Sequence, residues 1–278
     1  MLDPTHPVRP RDSAKSVLLS VLGEIVLPSG GQVWGGALVG SLGELGFTES
    51  NARQAATRLA ADGIMVSSRH GRRIRWDITE SGRELLRSGG ERIYQFGQGN
   101  KNWDGHWLVV LCHVPEAQRE VRRLLHRQLS FIGFGFMSPS FAVSPHLDLE
   151  PEVFGILNRL GLGEDSAVFR AESGELTSDE SVVERSWDLD GLANSYQEFV
   201  NEFRAMDPRC PKDSFRALVG LVHSWRQFPF VDPELPLELL PAGWVGNSAR
   251  SLFTQCRSRW SNQAASYFQG LEALHSQT

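Results

Sequence analysis

Four of the seven residues from Arg69 to Arg75 are arginine, in the run RHGRRIR. The chain as a whole is acidic, with 28 Lys+Arg against 33 Asp+Glu and a formal net charge of -5. Guanidinium groups hold oxyanions through charge-assisted bonds, so a cluster of them on an acidic protein is suited to phosphate. The ordinary alternative is a solvated turn, because exposed arginines are common. The charge is also unevenly spread. Residues 1–90 hold 11 Lys+Arg and 9 Asp+Glu, a balance of +2, so the remainder carries -7. A locally basic end on an acidic protein suggests that only this end meets a polyanion.

The elements around the cluster decide between these readings. Ile74, Trp76 and Ile78 alternate with Arg73, Arg75 and Asp77, the period of a half-buried strand. The strand formers IMVSS precede them, and His70-Gly71 lies between the two runs, so the sequence predicts a β-hairpin with a basic tip. Three helices are expected before it. The first opens at Asp12 or Ser13 and is apolar at Val17, Leu18, Val21 and Leu22. The second carries Ala37, Leu38, Leu42 and Leu45 and stops at Gly46, and the third runs from a Thr48 cap to Gly63.

Projected at about 100° per residue, the third helix puts Ala52, Ala55, Ala56 and Leu59 on one face. Ser50, Gln54, Thr57 and Ala61 fall on the other, with Arg53 and Arg58 at its edges. Short polar side chains flanked by cations suit a major groove, although an ordinary amphipathic surface helix has the same pattern. Three helices followed by a basic hairpin is the plan of a winged helix-turn-helix. The DNA contacts expected are Ser50, Asn51, Arg53, Gln54, Thr57 and Arg58 of the helix, and Arg69, His70, Arg72, Arg73 and Arg75 of the hairpin. The stretch after it, ITESGRELLRSGGERIYQF, reads as a helix, a Gly-Gly break and a second short helix.

The middle of the chain has a different character. WLVVLC is a continuous apolar run suited to a buried strand, and a helix with Val121, Leu124, Leu125 and Leu129 on one stripe follows Pro115. FMSPSFAVSP and DSAVFRAE supply further strands, so a small α+β domain of ferredoxin-like type is predicted. From Leu189 onward the pattern is helical, interrupted by the proline-dense segment PFVDPELPLELLPAGWVG, whose apolar residues require an ordered course. The divisions read from the sequence are a loose tail over 1–12, a DNA-binding domain over 13–96, a ferredoxin-like domain over 97–186 and a helical domain over 187–278.

No enzyme signature accompanies this plan: there is no phosphate-binding glycine loop, no G-x-S-x-G and no HExxH. Cys112, Cys210 and Cys256 are isolated, which fits a reduced cytoplasmic compartment and neither a disulfide framework nor a metal site. No cofactor is expected, and no apolar run reaches the length of a membrane span. The rival reading is a scaffold whose winged helix binds another protein.

Three stretches resemble the PaaX-type transcriptional repressors, the family of the phenylacetic acid degradation regulator. They are NARQAATRLAADG with RHGRRIRWDITESG, the segment from WDGHWLVVLCHV to FAVSP, and LVHSWRQFPFVDPELPLELLPAGWVGNSAR, notably DPELP and LLPAGW. The resemblance spans about residues 13–270. It implies a winged helix, a ferredoxin-like middle and a helical C-terminal domain, in a homodimer that binds double-stranded operator DNA and is released by an acyl-CoA. Arg216, His223, Trp225 and Arg226 are the candidates for that effector, the cations for the phosphates of CoA and the aromatic for an aryl or acyl group. Two departures stand out. Where the family often has an arginine one turn before LVH, this chain has Leu218, with Arg216 nearby. The middle also resembles a CRISPR-associated nuclease of ferredoxin-like fold, but its first strand ends in Cys112, His113, Val114 and Pro115 instead of the aspartate that such nucleases use for metal.

Overall fold

The computed structural model describes residues 12–97 and 102–276, and, apart from Asp12, the expected tail lies outside that range. The fold is mixed helix and sheet, with one three-stranded and one four-stranded antiparallel sheet. It divides into two compact units. One gathers the described residues through Phe96 with Gln197–Gln227 and those from Asn247 onward; the other holds Gly97–Tyr196 and Phe228–Gly246. Much of the helical C-terminal sequence thus groups with the N-terminal helices.

In the first unit, α1 (Ala14–Val21) starts at Ser13, whose hydroxyl accepts the Ser16 N–H at 3.1 Å, and continues in wider turns over Leu22–Val26. A short strand β1 (Gln32–Trp34) leads directly into α2 (Gly35–Glu44). Thr48 caps α3 (Glu49–Ala61) by accepting the Asn51 N–H at 3.2 Å. Gly63, at φ 75°, makes the exit that an L side chain disfavours. Val17, Leu18, Leu38, Leu42, Ala52 and Leu59 are all buried, as their helical spacing predicts. The hairpin is β2 (Met65–His70) and β3 (Arg73–Ile78), and β3 lies in the middle of the sheet because β1 pairs on its other side.

One expectation fails here. α4 (Glu80–Gln95) passes unbroken through Gly89-Gly90. A helical glycine costs only about 1 kcal/mol, and the far end of α4 is anchored well enough to offset that. The Tyr94 hydroxyl donates to the buried Glu24 carboxylate, and the Trp225 indole donates to the Ile93 carbonyl at 3.2 Å. Into the same core come α8 (Leu189–Arg204) from Gln197 onward, α9 (Pro211–Trp225) and α10 (Val245–Ser276). Trp225 is stacked 4.7 Å from Phe253 and lies 5.3 Å from Phe199.

The second unit is built on the sheet β5-β6-β4-β7, all neighbours antiparallel. The strands are β4 (Trp107–Cys112), β5 (Gly135–Ser138), β6 (Phe141–Ser144) and β7 (Ser166–Ala171). Both faces of β4 are covered from Trp107 to Val110, which accounts for most of its apolar run, while Leu111 is exposed. Leu108 and Val110 pack with Leu125 and Leu129 of α5 (Arg119–Phe131) and Val153 of α6 (Glu150–Arg159). Trp107 and Val109 pack on the opposite side with Val182 and Val183 of α7 (Asp179–Ser186) and with Leu235 and Leu239 of the proline-dense segment. That segment is pinned in place: Asp232 accepts the Tyr196 hydroxyl at 2.6 Å, and the Pro233 carbonyl lies 3.2 Å from His146 Nε2.

Candidate nucleic-acid interface

α3 presents to solvent the face its sequence assigns. Ser50, Asn51, Arg53, Gln54, Thr57 and Arg58 are all exposed, while Ala52, Ala55 and Ala56 point into the core. Burial of those alanines against α1 and α2 fixes the rotation of the helix, so the polar face needs no contact of its own to be oriented. Arg53 donates through Nε to Glu49 at 2.9 Å, and the Thr57 hydroxyl is turned back onto the Arg53 carbonyl at 3.0 Å. Both bonds are exposed, worth little, and readily exchanged for a ligand. Arg58 and Gln54 have no side-chain partner among the described residues.

The hairpin turns at Gly71-Arg72, with His70 opposite Arg73 and Gly71 at φ 63°. Arg69 and Arg72 are exposed at its tip and carry no ion pair among the described residues. Arg73 and Arg75 are only half exposed. Their guanidinium carbons lie 4.8 and 5.3 Å from the centre of the Trp34 ring, and His70 meets the same ring edge-on at 5.5 Å. Cations over an indole face are held by its quadrupole. Arg75 also donates to the Gln32 side chain, and Arg73 donates to the His275 carbonyl at 2.7 Å. The alternation read in β3 holds at Ile78, which is buried, and weakens at Ile74, which is 42% exposed near the tip.

Sequence reasoning missed Trp34 as the platform for this side of the hairpin. A three-residue strand is too short to show a period, and the Gly-Gly after it reads only as a helix start. It missed Glu272 as well. This α10 carboxylate accepts the Trp34 N–H at 2.9 Å. Burial pushes the Glu272 carboxyl up, against the opposing influence of the Trp34 bond and of Arg75 and His275. Nothing local signals a contact made across 238 residues.

The four residues proposed for an effector lie together on α9 and the residue after it, and each is engaged with the N-terminal helices. Arg216 donates to the Glu44 carboxylate at 2.7 Å and to its carbonyl at 3.0 Å, beside Lys212 at 2.8 Å from the same carboxylate. Burial acts to raise Glu44, but the Lys212 and Tyr267 hydrogen bonds and the charges of Lys212 and Arg216 prevail and hold it below the usual value. Arg226 donates to the Ser16 carbonyl at 2.9 Å and to the Ser20 hydroxyl at 3.2 Å. His223 places Nδ1 3.2 Å from the Ser20 hydroxyl and Nε2 3.4 Å from Asp12. Burial, aided by Arg226, lowers the His223 pKa despite Asp12, so the ring is neutral at pH 7 and the Asp12 contact is no full ion pair. Trp225 is 1% exposed and offers no face to a ligand in this conformation.

Comparison with known proteins matches the chain in three consecutive blocks. Residues 13–82 match a family model described as PaaX-like protein, 100–183 one described as PaaX protein central Cas2-like domain, and 187–270 one described as PaaX-like protein C-terminal domain. Transcriptional repressor PaaX of Escherichia coli (strain K12) is 32% identical over 251 residues, which span 86% of this chain and 78% of that protein. Among solved structures, Uncharacterized protein Rv0674 from Mycobacterium tuberculosis superimposes with a TM-score of 0.64 at 21% identity. The superposition covers 92% of this chain and 99% of that one, and speaks to fold alone.

Proposed function

Because this chain belongs to the PaaX family, we propose that it is a DNA-binding transcriptional repressor that reads its operator with α3. The observation that carries the reading is the outer face of α3, exposed, with Gln54 and Arg58 lacking side-chain partners among the described residues, and flanked by cations beside a basic hairpin. In this reading α2 and α3 are a helix-turn-helix and β2–β3 its wing. Ser50, Asn51, Gln54 and Thr57 meet base edges in the major groove, and Arg53 and Arg58 meet phosphates. Arg69, His70, Arg72, Arg73 and Arg75 follow the backbone from the wing. The name of the relative from E. coli supports repression as the outcome.

The finer parts of the proposal rest on the family and on topology. The three sequence domains are 13–96, 97–186 and 187–278. The β-α-β-β-α-β order of the middle one, with β4 and β6 at the centre of its sheet, supports a ferredoxin-like fold. The protein works in the cytoplasm as a homodimer on a two-fold operator, so that two copies of α3 enter successive major grooves. It performs no catalysis. Among the described residues no three His, Cys, Asp or Glu side chains gather as a metal site, and no helix is long and apolar enough to cross a membrane. Its effector is an acyl-CoA of the phenylacetyl type. Phosphates that recruit Arg216 or Arg226 would take them from Glu44, Ser16 and Ser20, loosening α9 from the helices that support α3.

A salt titration with duplex DNA tests the central claim. Expected is a log affinity that falls linearly with log salt, at a slope of about 0.9 for each phosphate neutralised. No DNA binding at low salt would leave the scaffold reading in its place.

A further inference from the structure

A cleft of about 700 Å³ between α3 and the hairpin is lined in part by the C-terminal helix α10. Arg53 and Thr57 line one side, Arg72 and Arg73 the other, Gly36 lies at its floor, and His275 of α10 stands in it. Several contacts seat this last described turn. The His275 carbonyl takes the Arg73 guanidinium, and the Glu272 carboxylate takes the Trp34 N–H. The His275 ring fills the space that a Cβ on Gly36 would need, and Leu271 lies 3.7 Å from the corresponding point on Gly40. α2 has no side-chain cap from its own N-cap residue, so Glu272 supplies the anion that its positive end favours.

We propose that the last turn of α10 is an internal competitor of DNA: it occupies one end of the α3–hairpin cleft and holds Arg73 where a phosphate would otherwise hold it. The inference rests on the reading of α3 and the hairpin as the DNA surface. The competition is graded. A guanidinium bond to a neutral carbonyl is weaker than one to a phosphate, so DNA displaces it in part, against the contacts that seat the turn. The Glu272 charge nevertheless repels a polyanion at close range, and the turn must move before the backbone can enter. The turn therefore lowers affinity without abolishing it, and sets how strongly the surface binds duplex of any sequence.

The test uses a labelled random-sequence duplex titrated over a range of salt against the full chain, Glu272→Gln, Gly36→Ala and a chain lacking residues 272–278. Glutamine keeps an acceptor for the Trp34 N–H but removes the charge; alanine displaces only the His275 ring. Expected is tighter binding by roughly threefold or more for Glu272→Gln and about tenfold for the shortened chain, whose salt slope steepens by about one as Arg73 joins the phosphates. Thermal melts identify any variant that has lost its fold, and the two single substitutions then decide. Binding by the folded variants that is unchanged, or weaker than that of the full chain, would overturn the inference, since it would make the turn a support for the hairpin. A full chain that binds no duplex at any salt would instead remove the DNA reading, and the competitor with it.

Discussion

Gln54 sits mid-face on α3, exposed and without a side-chain partner among the described residues. An amide can bond an adenine edge in two places, and Gln54→Ala should therefore cost about 1–3 kcal/mol at one or two base positions and little elsewhere. Selection of binding sites from a random pool measures this; an unchanged preference would show that α3 is not the reader. The hairpin arginines should divide differently from what their sequence suggests. Arg72 is exposed and has no ion pair among the described residues, whereas Arg73 spends its guanidinium on Trp34 and His275. Arg72→Ala should flatten the salt slope by about one and weaken all duplexes alike, and Arg73→Ala should flatten it by less. From the sequence the four arginines look equivalent, because a period of two tells which face a side chain takes but not what waits there.

At the scale of elements, α2 and α9 are joined through Glu44. Glu44 ends α2, where the helix dipole disfavours a negative charge, and Lys212 and Arg216 offset that from α9. Its folded pKa is lowered, so its ionised form stabilises the fold. That contribution is complete above the ordinary value of 4.5 and is lost as pH falls through the lowered one. Glu44→Gln should cost about 1–3 kcal/mol at pH 7, by leaving two half-buried cations short of a partner, and should lose stability less steeply than the parent below pH 4.5. Denaturant melts from pH 7 to pH 3 measure both. Such a joint was not legible in the sequence, since Arg216 and Glu44 lie 172 residues apart. What was legible is local: the Thr48 cap, the Gly63 stop and the alanine face of α3 all lie within one short window. α4 fails for the same reason turned about, because Gly89-Gly90 is a local break signal that the anchoring of Tyr94 and Trp225 overrides.

At the scale of the molecule, the segments that carry family resemblance, DPELP and LLPAGW among them, were legible because their composition is unusual, while the grouping of α9 and α10 with the N-terminal helices was not. Under the proposed function, that grouping would decide how an effector acts on DNA binding. Arg226 reaches α1, Arg216 reaches α2, and both helices pack on α3, so under the proposed function a ligand that took either cation would alter the state that binds DNA. Release then requires only that the ligand favour the loosened state. A tenfold loss of operator affinity corresponds to about 1.4 kcal/mol of such preference, within what one or two charge-assisted bonds supply. An aryl-acyl-CoA should therefore weaken operator binding by about tenfold or more, and Arg226→Ala should blunt the effect while still binding operator. Arg226 is mostly buried, so the substitution should also lower the melting temperature, and the two effects separate only if the ligand response is measured well below it. Reciprocity supplies the stricter check: operator DNA must weaken acyl-CoA binding by the same factor by which acyl-CoA weakens operator binding. Titrating each against the other gives both numbers. Equal factors in the parent, with both near one in Arg226→Ala, would place the coupling on this arginine; an unchanged factor in the variant would exclude Arg226 from the site and leave Arg216 as the cation to test.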